Sequence, residues 1–331
     1  MNKIEHTKQM NSMNTIDEPI GAFGRFNAKV LLAATPEYAQ LKKIKRAGAG
    51  RAESRPAPFA MQPEYQTIDG IKVRYAQGGK QGGPVVLLLS PLPQSILCYD
   101  LIWRKLEQHC RLVALDLPGF GRSEGGIEFM NFEAQGRFLG KFIRVMNLKQ
   151  VHIVGPDVGM PTALHYVIHQ KHEAASLILG DGPGILPAAN GSIINKAVES
   201  KFWRMIFRIT GSQAFVEGAY QLGCVNYVPS NAEVADYVAS YNGRIGTVTQ
   251  WFARYPESIA TVDPHLASLD LPVKIFWGDQ DIFLFSANAS RLHKRLQRSQ
   301  LCIFENCGHF SYQDNAEEFA EMILAWIHGG F

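Results

Sequence analysis

The stretch that most constrains this chain is residues 151–160. There an apolar, β-branched run (Val151-His152-Ile153-Val154) meets Gly155-Pro156-Asp157-Val158-Gly159 and then a helical pattern. A strand that turns this sharply into a helix strains the residue at its tip and exposes its side chain, and glycines two before and two after let the backbones pass closely. The residue so presented is Asp157. Turns of this kind ordinarily offer serine, whereas this one reads G-x-D-x-G. With 30 Gly and 12 Asp in 331 residues, roughly 0.1 such matches arise by chance. The competing role for Asp157 is to cap the following helix, so its chemistry has to be judged from the rest of the chain.

At 46% hydrophobic and 19% charged, the chain can bury a large core and suits one α/β domain with an inserted subdomain. The net charge of +3 is unevenly placed. Lys42, Lys43, Lys45, Arg46, Arg51 and Arg55 against Glu53 give +5 over residues 41–60, residues 1–40 balance, and the remainder is net −2. The folded body therefore offers no reason to expect a nucleic-acid partner. The five cysteines, Cys98, Cys110, Cys224, Cys302 and Cys307, are odd in number and lack metal-ligand spacing, so neither a disulfide framework nor a metal site is expected. A reducing, cytoplasmic location is the expectation. No apolar run reaches the ~18 residues that span a bilayer, and Val30-Leu31-Leu32-Ala33-Ala34 is too short for a signal-peptide core, so no membrane partner is expected.

Residues 1–60 end in an Ala/Gly/Pro/Arg-rich stretch whose composition predicts a flexible extension. Met61 immediately precedes the first strand signal, and a chain starting there would keep every predicted element. Residues 67–75 read as a hairpin with an Asp69-Gly70 turn. Residues 84–89 and 111–115 are continuous apolar runs, as in parallel strands covered on both faces. Helices are predicted over 102–108, 131–146 and 162–170, with a strand at 175–179. The rhythm then breaks. Residues 183–270 show aromatic-rich helical patterns before strands resume at 273–277 and 301–305, and a helix over 316–327 closes the chain. An excursion between consecutive strands at the sheet's carboxyl edge would lie over Asp157 as a lid. The expected division is thus an extension over 1–60, a core over 61–182 and 271–331, and a cap over 183–270.

Two further strand ends complete a constellation. Trp277-Gly278-Asp279-Gln280-Asp281 and Gly308-His309-Phe310 each follow a predicted strand, giving the chain order nucleophile, acid, histidine. With Asp116-Leu117-Pro118-Gly119-Phe120-Gly121-Arg122-Ser123 and the Gly155–Gly159 motif, residues 64–328 resemble the α/β-hydrolase superfamily, in particular its aspartate-nucleophile branch of haloalkane dehalogenases and epoxide hydrolases. The resemblance implies a mostly parallel eight-stranded sheet flanked by helices with an inserted helical lid, and no cofactor. It makes Asp157 the nucleophile, His309 the base and Asp281 the acid orienting it. Asp181 is where some relatives carry the acid instead. Asp279 reads as a loop aspartate holding local backbone. The family usually has His-Gly-x-Pro after the strand ending at Leu89, whereas this chain has Ser90-Pro91-Leu92-Pro93. The amides of Leu92 and Val158 could still form an oxyanion hole, because that role needs backbone N–H groups only.

A carboxylate attacking an acyl ester would give an anhydride, but one displacing a leaving group at saturated carbon gives a stable ester. The expected substrate is therefore a small, neutral, hydrophobic alkyl electrophile, with water as co-substrate. Relatives that open epoxides use two lid tyrosines, and the matching positions here hold Trp203 and Phe252. Dehalogenases usually have tryptophan after the nucleophile, where Val158 stands, which leaves Trp203 as the halide donor or a packing residue. Tyr237 and Tyr241, one helical turn apart, are the candidates to assist an epoxide, or they pack the helix. No arginine follows Asp157 closely, so small anionic substrates are not expected. His165 and His169, also one turn apart, lack the acidic partner of a zinc motif and read as packing. A non-enzymatic binding protein on the same fold is the class-level alternative.

Overall fold

The computed structural model describes residues 22–47 and 59–329. Strands β1 (Pro63–Ile68), β2 (Ile71–Gly79), β3 (Val85–Leu89), β4 (Arg111–Leu115), β5 (Val151–Pro156), β6 (Ala174–Gly180), β7 (Val273–Gly278) and β8 (Ser299–Phe304) form one sheet ordered β1-β2-β4-β3-β5-β6-β7-β8. The pairs β1–β2 and β2–β4 are antiparallel, and all others are parallel. The opening hairpin turns at Asp69 and Gly70 with both φ positive, 50° and 80°, as a tight Asp-Gly turn requires. Strand β5 is buried throughout, the state its uninterrupted apolar pattern demands when helices cover both faces. It lies between β3 and β6, where the winding of the chain reverses. That places the end of β5 at the crevice where open α/β sheets bind ligands.

The cap follows β6. Helices Ser192–Glu199, Lys201–Gly223, Asn231–Tyr241, Ile245–Val248 and Gln250–Ile259 occupy the predicted excursion. Ser200 caps the second of these through its hydroxyl, and Ser230 with Glu233 forms a reciprocal capping box for the third. Gly211, with φ 82°, breaks the long helix into two segments.

One expectation fails here. Residues 22–47 are not a mobile arm: helices Ala22–Ala33 and Tyr38–Ala47 form a strap packed along the cap. Composition averaged over sixty residues hid their short apolar stripes, from which Ala28, Leu31 and Leu41 are buried. The strap also makes polar contacts. Glu37 accepts hydrogen bonds from the Ser192 amide (2.8 Å) and hydroxyl (2.6 Å), Lys45 donates to the Gln221 carbonyl (2.6 Å), and Tyr38 donates to the Gln221 side chain (3.1 Å). The close approach depends on Gly218, where a Cβ would stand 3.1 Å from Leu31 Cδ1. Residues 1–21 and 48–58 lie outside the described residues.

A buried ion cluster ties cap to core. Arg74 on β2 donates to Asp116 through Nε (2.7 Å) and to both oxygens of Asp236 through its terminal nitrogens (2.9 Å each). Asp236 sits on the cap helix Asn231–Tyr241 and also accepts from Ser95 (2.5 Å) and Arg122 (3.1 Å). Removing one partner of a buried pair strands the other charge, at a cost of about 3–5 kcal/mol. Arg74→Ala is therefore expected to lower stability in urea denaturation by that amount. Arg122→Ala, which removes a guanidinium 36% exposed, should cost no more than about 1 kcal/mol. Equal losses would show that the cluster does not hold the cap.

Candidate active site

The turn after β5 puts Asp157 at φ 48°, a conformation that strains any residue with a Cβ. The flanking glycines are required sterically. A Cβ at Gly155 would lie 2.7 Å from the Gly159 carbonyl oxygen, and one at Gly159 would lie 3.0 Å from Leu89 Cβ. The strain presents the carboxylate in two parts. Oδ2 accepts the Leu92 amide at 2.6 Å, and the Val158 amide also bonds the carboxylate. Oδ1 faces His309 Nε2 at 3.8 Å. The Ser90-Pro91-Leu92-Pro93 turn, despite its departure from the family pattern, thus delivers the amide expected of it.

His309, between β8 and the short helix Ser311–Asp314, bonds Asp281 Oδ2 through Nδ1 at 2.9 Å. A carboxylate can only accept, so Nδ1 carries the proton and Nε2 is turned toward Asp157. Asp281 is itself held by the amides of Phe283 (2.8 Å) and Leu284 (3.1 Å) on Oδ1. Asp181, the alternative acid, takes the Gly278 amide (3.2 Å) and the Ser311 hydroxyl (2.8 Å) and makes no hydrogen bond to His309. Asp279 receives the Cys307 amide at 3.2 Å and holds the loop.

Burial pushes the Asp157 carboxyl up to about 6, against the opposing pull of His309 and the two amides. Burial alone would lower His309, but the carboxylates of Asp281 and Asp157 outweigh it and raise the imidazole to about 9. The resting site at neutral pH is therefore an ion pair of carboxylate and imidazolium.

Above Asp157 lies a cavity walled mainly by apolar side chains. Phe207, Phe215 and Leu222 come from the long cap helix, Trp251, Phe252 and Tyr255 from helix Gln250–Ile259, and Phe283 and Leu284 from the loop after β7. Leu31 of the strap completes the wall. Of the lid candidates read from the sequence, only Phe252 lines this cavity. Trp203 is half-buried one turn before Phe207, with Lys196 Nζ 5.1 Å from its ring centre, and does not line the cavity. Tyr237 stacks on Tyr220 at 5.8 Å, and Tyr241 donates to the Gln94 carbonyl (2.8 Å). These three residues are core packing, because their faces of the cap helices turn toward neighbouring helices and not toward Asp157. His165 and His169 pack ring on ring at 4.4 Å.

Three site residues escaped the sequence reading. Trp251 lines the cavity with its ring wedged against Phe120 and Phe132 (5.4 and 5.2 Å), and its indole N–H has no acceptor among the described residues. Tyr255 lines the cavity while donating to Asn190 (2.8 Å). Gln94 anchors the loop that carries Leu92, bonding Tyr220 and Gln313 (2.7 Å each) and receiving Tyr312 (2.7 Å). The strong helical spacing of Trp251 and Tyr255 was the one usable signal.

The chain belongs to the alpha/beta hydrolase fold family, whose model matches residues 84–316. It is 23% identical over 287 residues to an uncharacterized protein of Mycobacterium tuberculosis (strain ATCC 25618 / H37Rv), covering 81% of each chain. It is 21% identical over 235 residues to the 2-hydroxy-6-oxononadienedioate/2-hydroxy-6-oxononatrienedioate hydrolase of Klebsiella pneumoniae, covering 67% of this chain and 78% of that one. Among solved structures, the haloalkane dehalogenase DbeA from Bradyrhizobium elkani USDA94 superposes with a TM-score of 0.70 at 20% identity, over 81% of this chain and 98% of the other. Likeness at this identity speaks to the fold. Among the described residues no helix is long and apolar enough to cross a membrane, and no cluster of side chains is arranged to hold a metal ion.

The electrostatics can be measured directly. In an NMR titration, His309 should protonate near 9, well above the ordinary histidine value of about 6.5. Asp281→Asn should bring it down sharply and Asp181→Asn much less. The reverse ranking would make Asp181 the partner of the imidazole.

Proposed function

We propose that this protein is a hydrolase of neutral, apolar alkyl electrophiles that works through a covalent alkyl ester on Asp157. The observation that carries the reading is the division of the Asp157 carboxylate. Oδ2 is held by the Leu92 amide, while Oδ1 faces His309 at 3.8 Å beside an apolar cavity. Attack by Oδ1 on saturated carbon displaces the leaving group and forms the ester. The cavity walls favour neutral substrates, since burying an unpaired charge there is costly.

Ester formation also switches the base on. It removes the Asp157 negative charge, one of the influences that hold His309 protonated, so the imidazole becomes easier to deprotonate when a base is needed. His309 Nε2 first releases its proton to solvent with the departing leaving group, then takes one from water as the hydroxide attacks Cγ of Asp157. The negative charge developing on the former carboxylate oxygen is met by the Leu92 and Val158 amides. Collapse breaks the bond from Cγ to the alkyl oxygen, the alkoxide takes the imidazolium proton and leaves as the alcohol, and the new carboxyl passes its proton to His309, restoring the ion pair while Asp281 keeps the imidazole oriented.

A halide leaving group is favoured by Trp251, an N–H donor on the cavity wall without an acceptor, in the role the sequence had suggested for Trp203. The fold shared with a haloalkane dehalogenase supports this reading, and the hydrolase name of the Klebsiella relative supports the broader class. The second reading, epoxide opening, rests on Tyr255, the one phenol on the cavity wall among the described residues, although its proton is engaged by Asn190. Neither reading needs a cofactor, and the small apolar substrate with water would be the sole reactants.

Two experiments test the proposal. His309→Gln should block the second half-reaction, so that intact-mass spectrometry after incubation with an active substrate finds the protein heavier by one alkyl group. An unmodified mass, with turnover abolished, would sink the covalent mechanism. Trp251→Phe should reduce bromide release from bromoalkanes on the order of tenfold or more, the scale of losing one donor to developing charge. Diol formation from epoxides that depends on Tyr255, with no bromide release, would decide for the epoxide reading.

A further inference from the structure

Helix Lys201–Gly223 has two sides of opposite character. Its inner side contributes Phe207, Phe215 and Leu222 to the cavity over Asp157. On its outer side, in the segment before Gly211, Phe202, Met205 and Ile209 are 59%, 47% and 68% exposed. Their spacing of i, i+3, i+7 puts them on one stripe of the helix. Lys201, Arg204 and Arg208 repeat the same spacing one residue earlier, so a cationic stripe runs beside the apolar one, about 100° around the axis. The cations line a surface groove whose far wall is Thr247, Thr249 and Gln250, and no acidic residue lines it. Arg204 is spent on the Ala197 and Val198 carbonyls (2.7 and 2.8 Å), whereas Lys201 and Arg208 make no ion pair among the described residues. The strap helix Ala22–Ala33 packs on the segment after Gly211 and has its own exposed Phe26, Lys29 and Val30.

Singly exposed apolar side chains are ordinary. Several on one face, bordered by unpaired cations, are not, and they match what an interfacial helix needs: apolar groups for the acyl boundary and basic groups for anionic headgroups. A second copy of this chain fits the face poorly, because a two-fold contact would bring the Lys201, Arg204 and Arg208 stripes of both copies together. We propose that this outer face of the cap docks on an anionic lipid bilayer, with Phe202, Met205 and Ile209 entering the headgroup boundary and lipid phosphates seated in the acid-free groove. The expectation of no membrane partner rested on the absence of a spanning run, which surface docking does not require. The docked bilayer would lie one helix diameter, ~10 Å, from a cavity walled by apolar side chains. The proposal is independent of the chemistry at Asp157.

Vesicle co-sedimentation of the full chain tests it without reference to activity. Wild type should sediment with mixed phosphatidylcholine–phosphatidylglycerol vesicles and not with pure phosphatidylcholine. The charge reversal Lys201→Glu with Arg208→Glu, and separately Phe202→Ser with Ile209→Ser, should each weaken partitioning on the order of tenfold or more, given about 1 kcal/mol for each basic residue at an anionic surface. All four side chains are exposed, and circular-dichroism melting verifies that the variants fold. Absence of co-sedimentation by wild type, or equal binding by the variants, overturns the proposal. So does inorganic phosphate binding to the groove without vesicle binding. A concentration-dependent dimer in ultracentrifugation that Ile209→Ser abolishes, with no vesicle binding, also overturns it and gives the face to a second copy.

Discussion

The hydrogen bond from the Leu92 amide to Asp157 Oδ2, at 2.6 Å, is the contact on which the rest of the site depends. A free carboxylate has two equivalent oxygens and no preferred direction of attack. Fixing Oδ2 to the Leu92 N–H distinguishes the two oxygens; in the proposed mechanism Oδ1 is then the attacking atom, and the amide stands where charge would develop in the second step. Aiming that amide requires a fixed loop. Residues 90–96 are pinned by the Ser90 amide on the Leu115 carbonyl (2.9 Å), the Ile96 amide on Asp116 (2.8 Å), Ser95 on Asp236 and the Gln94 side chain on Tyr220 and Gln313. The buried Arg74 cluster is therefore more than a clasp for the cap. It holds two acids, Asp116 and Asp236, that hold the loop bearing Leu92. Satisfied buried networks of this kind fix one arrangement at some expense of stability.

The charges around His309 follow the same logic. Three buried aspartates surround one imidazole, and all three ionised together would repel strongly. Burial and the neighbouring Asp281 charge push Asp181 well above the usual carboxylate range, which disfavours its charged form. Its oxygens serve instead as anchors for Gly278 at the end of β7 and for Ser311, two residues beyond His309. Asp281 differs because two backbone amides and the imidazole satisfy it. The environment thus separates two acids of identical chemistry into an orienting partner of His309 and a brace beneath the loop that carries it.

Much of this was legible in the sequence, for identifiable reasons. Strand β5 and its turn are local: the continuous apolar run stops, and two glycines sit where only glycine avoids Gly159 and Leu89. Asp281 and His309 lie just past predicted strands, so a parallel sheet gathers them at one edge with Asp157. The cap was legible as helices but not as a surface. Which side of a cap helix faces Asp157 depends on packing against the core, so Trp203 and Trp251, alike in composition and spacing, could not be told apart. The strap was missed for a related reason. Its helices Ala22–Ala33 and Tyr38–Ala47 are 12 and 10 residues long, and helices so short are marginal without a partner surface. That surface is created by Gly218, two hundred residues away in the chain.

The two ends of the cap are held by different kinds of contact. The end formed by helix Asn231–Tyr241 is fixed by the bidentate Arg74–Asp236 pair and by buried Glu233, which receives the hydroxyls of Tyr227 and Ser230 and the Gln313 amide (2.7, 2.8 and 3.2 Å). Opening there would break buried charged hydrogen bonds, which is costly. The other end consists of helix Ser192–Glu199, the helix interrupted at Gly211 and the strap. It is joined by part-buried contacts from Glu37, Tyr38 and Lys45 that water can replace. Leu31, Ile193, Ala197 and Gly218 all belong to this seam and all line the cavity. The seam between strap and cap thus supplies one wall of the cavity, and the N-terminal helix Ala22–Ala33 completes it with Leu31.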